Sequence, residues 1–231
     1  MLLVDKEFTT AIFSKGKTGT TSLAKQLEGS WHTSGEENIT WINETEYPED
    51  SVRPLPQEWA LGECVNYHKC KPIFLIREPY ERYISGLKEV IQDYLYPLYD
   101  DDLERVYQTE KLISNMNKLE KFLDRIYYLC EYYPNSEEVE KIGWPRAFGI
   151  NDNYHLCNWL HIVEQYENAR VVDIKDLDKF MLELNLTPIK ENVSNPQAKY
   201  YIEQALKRTG AWTGVSKFIQ KEQEIYKRLT A

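Results

Sequence analysis

The chain has 231 residues, of which 42% are apolar and 28% charged, with 17 tyrosines, seven phenylalanines and six tryptophans. That is enough apolar material for one sizeable domain spanning residues 1–231, and it excludes a disordered chain. A net charge of −9 repels polyanions and excludes a general nucleic-acid binder, although a few local cations can still hold a small anionic cofactor.

No stretch approaches eighteen uninterrupted apolar residues, so no membrane span is expected. Met1-Leu2-Leu3-Val4-Asp5-Lys6 lacks a basic region followed by a long apolar run. No signal peptide is read there, and a soluble cytoplasmic protein is expected. Cys64, Cys70, Cys130 and Cys157 have neither C-x-x-C spacing nor the density of a disulfide scaffold. They read as buried thiols of a reducing compartment. The histidines share no ligand spacing with them, and no metal site is expected.

In chain order, Thr10-Ala11-Ile12-Phe13-Ser14 is a β-prone run ending in Lys15-Gly16-Lys17-Thr18-Gly19. A helix follows with Leu23 and Leu27 on one face. Asn38 to Asn43 reads as a second strand, and Glu58 to Lys69 carries Leu61, Cys64, Val65 and His68 at helical spacing. Pro72 to Ile76 is a continuous apolar run, the pattern of a strand covered on both faces. Pro79 then opens a helix with the stripe Tyr80, Tyr83, Ile84, Leu87, Ile91. A long helix is expected over 103–132, another over 153–166, a strand over 170–174, and helices over 177–184, 197–208 and 216–229. Strands alternating with helices give an α/β fold with a mainly parallel central sheet flanked by helices.

The run from Phe13 to Leu23 is a strand, a glycine-bearing loop rich in hydroxyls, and a helix. Such a turn aims backbone N–H groups and the positive helix end at one spot, which suits a phosphate. Thr20, Thr21 and Ser22 can add hydroxyl donors and cap the helix, and a plain turn with a cap would use the same residues. The nucleotide-triphosphatase loop requires G-x-x-x-x-G-K-[ST]. Here Lys17 precedes Gly19, which leaves an ATP- and magnesium-dependent kinase as the runner-up.

Lys17-Thr18-Gly19-Thr20-Thr21-Ser22-Leu23 resembles the 5′-phosphosulfate loop of the sulfotransferase family, with Gly16 where that family usually has proline. Ile73 to Ser85 resembles the family's 3′-phosphate motif: an apolar strand, Arg77-Glu78-Pro79 in place of Arg-Asp-Pro, Arg82, and Ser85 eight residues after Arg77. The spacing has a rationale. Arg77 leaves a strand end while Ser85 lies about two turns into the next helix, roughly 10 Å along at about 1.5 Å per residue, a gap an arginine fork can span. Downstream, Asp152 to His155, Val171 to Leu177, Asn192 to Asn195 and Lys207 to Gly210 match the family's later segments more loosely.

The resemblance implies 3′-phosphoadenosine 5′-phosphosulfate as sulfuryl donor and a hydroxyl or amine of a small molecule or glycan as acceptor. It assigns Lys17, Thr18, Gly19, Thr20, Thr21 and Ser22 to the 5′ side, Arg77 and Ser85 to the 3′-phosphate, and Lys17 to the charge growing on the leaving phosphate. The acceptor proton needs a base. Glu44, after the expected strand 38–43, is the first choice and Glu46 the second, with His32 and His68 as other candidates. A non-catalytic nucleotide-binding module with the same fold is the reading from another class.

Overall fold

Leu2, Leu3 and Val4 open the chain as consecutive buried residues of β1 (Leu2–Asp5). The computed structural model describes residues 1–14, 20–28, 30–34, 57–95, 102–133, 159–188 and 196–231. A four-residue turn joins β1 to β2 (Thr10–Phe13). Phe8 N–H donates to the Asp5 carbonyl at 3.0 Å, and the Asp5 carboxylate accepts from Thr9 N–H at 2.6 Å. Phe8 sits at φ 55°, a left-handed conformation that a bulky residue holds only under tertiary restraint. Its ring packs 4.5 Å from that of His68 and 5.5 Å from that of His32.

A connection that short obliges antiparallel pairing. The sheet runs β3-β1-β2-β4-β5, where β3 is Trp31–Ser34, β4 is Lys71–Ile76 and β5 is Arg170–Asp173. β1 pairs antiparallel with both β2 and β3, while β2 pairs parallel with β4 and β4 with β5. The fold is α/β, but the expected mainly parallel sheet is corrected to a mixed one. β1 carries the difference: the hairpin inserts it between two strands that run opposite to it.

Two compact units divide the chain. Met1–Arg77, Ile162–Glu191 and Thr230 form one, and Glu78–His161, Asn192–Leu229 and Ala231 the other. The first holds the sheet. β4 is buried from Pro72 to Ile76, as its unbroken apolar run requires. α1 (Thr20–Leu27) lays Leu23 and Leu27 against Leu3, Ile12, Ile73 and Leu75. On the same core, Val172 of β5 meets Phe180 and Met181 of α7 (Leu177–Glu183), a helix entered through a 3-10 turn at Ile174–Asp176. α2 (Gln57–Asn66) stops before His68, so that histidine lies beyond the helix rather than on its apolar face.

The second unit is helical: α3 (Pro79–Leu95), α4 (Asp102–Ile113), α5 (Met116–Tyr132), α8 (Pro196–Lys207) and α9 (Ala211–Thr230). The single helix expected over 103–132 is two. Asn115 breaks it, because its side chain accepts from Lys118 N–H at 3.1 Å and so caps α5 instead of continuing α4. Tyr83, Leu87, Ile113, Leu123, Ile202 and Val215 lie in the shared core of these helices. The short α6 (Leu160–Val163) straddles the division between the units. The strand expected over 38–43 lies outside the described residues, and among those described no helix is long and apolar enough to cross a membrane.

Ile202 is fully buried in the helical core. Ile202→Ala is expected to lower stability by about 2–5 kcal/mol. Tyr200→Ala, at an exposed position of the same helix, should change it little. Urea denaturation of the three proteins checks the pair.

Candidate functional site

The phosphate-loop reading depends on where β2 ends. Phe13, the last residue of β2, is opposite Phe74 of β4 in parallel register. The buried Ser14 follows, its N–H donating to the Met1 carbonyl at 3.0 Å. Thr20, Thr21 and Ser22 form the first turn of α1, whereas Lys17, Thr18 and Gly19 lie outside the described residues. Arg77 follows the end of β4, three residues beyond Phe74, and is half-buried. The chain segments on either side of the loop therefore share the sheet edge from which Arg77 emerges. In open α/β sheets that carboxyl edge is where ligands bind.

The next two residues of the motif explain themselves locally. Glu78 is the N-cap of α3: its Oε2 accepts from Glu81 N–H at 2.7 Å, and Pro79 occupies the first helical position. Its Oε1 accepts from Gln223 Nε2 at 2.8 Å. The carboxylate of Arg77-Glu78-Pro79 thus shapes the helix start. Ser85 is a half-buried residue of α3, in the helical unit.

Arg82 has a different destination from Arg77. It is 2% exposed, with its guanidinium carbon 5.4 Å from the centre of the Trp159 ring. Glu222 of α9, also 2% exposed, accepts from Trp159 N–H at 3.0 Å and Leu160 N–H at 3.2 Å, satisfying N–H groups at the start of α6. Burial pushes the Glu222 carboxyl up to about 7, against the pull of the Arg82 guanidinium and of these two N–H groups. This cluster escaped the sequence reading. Its signal was a glutamate on the apolar stripe Val215, Ile219, Glu222, Tyr226 of α9, where a solvated carboxylate does not belong.

The histidine candidates for a base lie far from Arg77. His32 is a residue of β3, paired with Val4 near the hairpin. His68 packs on Phe8 in that hairpin and precedes β4. Both therefore lie at the amino edge of the parallel strands, about one β4 length from Arg77, roughly 20 Å at about 3.3 Å per residue. Glu44, Glu46, residues 152–155 and residues 192–195 lie outside the described residues. Lys207 and Arg208 form ion pairs with Glu203 at 2.6 Å and Glu120 at 3.0 Å. Cys64 and Cys70 are free, buried thiols. Among the described residues no group of three or more His, Cys, Asp or Glu side chains is arranged to hold a metal ion.

Compared with known proteins, the chain matches no family model, no curated protein and no solved structure.

The Glu222 cluster predicts a pH dependence with a definite sign. A carboxyl whose folded pKa of about 7 exceeds its ordinary value of 4.5 binds its proton more tightly in the folded state. Its contribution to stability is complete below about pH 4.5 and is lost as pH rises through about 7. Wild type should therefore lose stability relative to Glu222→Gln across that interval, read as the difference between their urea midpoints. A wild type that instead gains stability relative to Glu222→Gln as pH rises would mean that the fold favours the ionised carboxylate.

Proposed function

We propose that the protein transfers a sulfuryl group from 3′-phosphoadenosine 5′-phosphosulfate to a hydroxyl of a small molecule or glycan. One observation supports this above the others. β2 and β4 are adjacent parallel strands, and the loop bearing Lys17 follows the first while Arg77 follows the second. The two cationic segments named by the resemblance thus belong to neighbouring strand ends rather than to unrelated parts of the fold. Arg82 is occupied within the helical unit, which favours Arg77 as the arginine that meets the nucleotide.

In this reading the loop N–H groups, Thr18 to Ser22, and the start of α1 take the 5′-phosphate. Arg77, with Ser85 as the resemblance assigns it, takes the 3′-phosphate. The sulfur–oxygen bond to the phosphate breaks as a new one forms to the acceptor oxygen, and Lys17 meets the negative charge left on the phosphate. A carboxylate, Glu44 before Glu46, takes the acceptor proton. The residues named include no metal ligand set, and the donor is held by cations and N–H groups.

Calorimetry with 3′-phosphoadenosine 5′-phosphate in EDTA tests the binding half. Tight binding is expected, and Arg77→Ala should weaken it by about 1.5–3 kcal/mol. An enthalpy signal from ATP alone, and only with magnesium, would replace this reading with the kinase. Lys17→Ala should reduce radiolabelled sulfate transfer by about 10²–10³-fold while nucleotide affinity is kept, because the charge it meets develops in the transition state. Near-normal turnover in that variant would remove Lys17 from the mechanism. Wild-type binding without transfer to any hydroxyl on a broad panel would favour a non-catalytic module.

A further inference from the structure

We propose that an open pocket of the helical unit, bordered by the start of α3, the end of α8 and one face of α9, binds a neutral saccharide. The inference does not depend on sulfuryl transfer. The pocket has a volume of about 390 Å³, within the size range of small-molecule sites. Trp212, Ser216, Gln220 and Gln223 line it from α9, at positions spaced to share a helical face, with Tyr80 and Lys207 opposite.

Its chemistry is mixed in a particular way. The Tyr80 and Trp212 rings meet edge to face, 6.2 Å apart at 83°, and the Lys207 ammonium stands 5.7 and 5.9 Å from their centres. Lys207 is bonded to Glu203 at 2.6 Å, and that contact holds the Glu203 carboxyl below its usual range. The pair is ionised and self-neutralised. Burial and the neighbouring Glu203 raise the Tyr80 phenol, which stays uncharged at neutral pH. Neither a cation nor an anion therefore meets an unopposed charge from these side chains.

The polar lining is oriented by bonds already made. Gln223 Nε2 donates to Glu78, so its Oε1 is the acceptor available to a ligand. Ser216 Oγ donates to the Thr213 carbonyl at 3.2 Å and keeps lone pairs for a donor. A wholly apolar ligand would desolvate these groups without replacing their hydrogen bonds. A wholly polar one would make no use of the two rings. A pyranose satisfies both demands, with an apolar C–H face for an aromatic ring and a rim of hydroxyls for amides and a serine.

The test uses the whole chain with maltotriose, cellotriose and chitotriose, and with adenosine and p-nitrophenol as competing ring chemistries. Saturation-transfer NMR and calorimetry read binding. At least one trisaccharide should bind with a Kd of about 1 mM or tighter. Trp212→Ala should weaken it about tenfold. Trp212 also packs on the helical core, so Gln220→Ala at an exposed position is the second variant. It should weaken binding about three- to tenfold with an unchanged Tm. The proposal is overturned if no trisaccharide binds, if only adenosine or p-nitrophenol binds, or if neither variant changes trisaccharide affinity.

Discussion

The Glu78 carboxylate ties the start of α3 to the middle of α9. One oxygen satisfies an N–H in the first turn of α3 and the other accepts from Gln223 in the middle of α9. The neighbouring residue, Glu222, satisfies the first N–H groups of α6. Two adjacent side chains of one helix therefore fix the starts of two others. Helix starts are where backbone donors lack partners, so a buried start needs such a group.

The same economy of connection explains the sheet. A hairpin too short to cross the sheet puts β1 beside β2 and reverses its direction, while the long connections from β2 to β4 and from β4 to β5 permit parallel pairing. Parallel pairing brings the carboxyl ends of β2 and β4 to one edge. The hairpin turn, with Phe8 held between His32 and His68, marks the opposite edge. Both histidines belong to the packing of that turn.

Charge is handled inside the helical unit as much as on its surface. Arg82 and Glu222 are almost completely buried, and removing either would leave the other facing a costly desolvation. Elsewhere in that unit, Lys199–Glu81, Lys207–Glu203 and Arg208–Glu120 are partly exposed pairs of the kind that contribute little each. Loss of either buried group would therefore be felt more than loss of one of these surface pairs.

Much was legible locally. The strand ending at Phe13, the helix carrying Leu23 and Leu27, the buried run before Arg77, the helix opened by Pro79 and the later helices all announce themselves by periodicity, caps and proline placement. The Lys17 loop and Arg77 were singled out for the same reason, since a motif is a short-range pattern. Leu2 to Asp5 and Trp31 to Ser34 were not read as strands, because so short a segment says little until its partners are known. His32 and His68 looked like site candidates because nothing nearby in the chain shows Phe8 between them. Arg82 and Glu222 stand 140 residues apart, and no local pattern links them. Residue types and short spacings determined most of the elements and the phosphate-loop candidate. Strand direction, the burial of Arg82 and the edge to which each histidine belongs were decided by tertiary structure, because each depends on a partner distant in sequence.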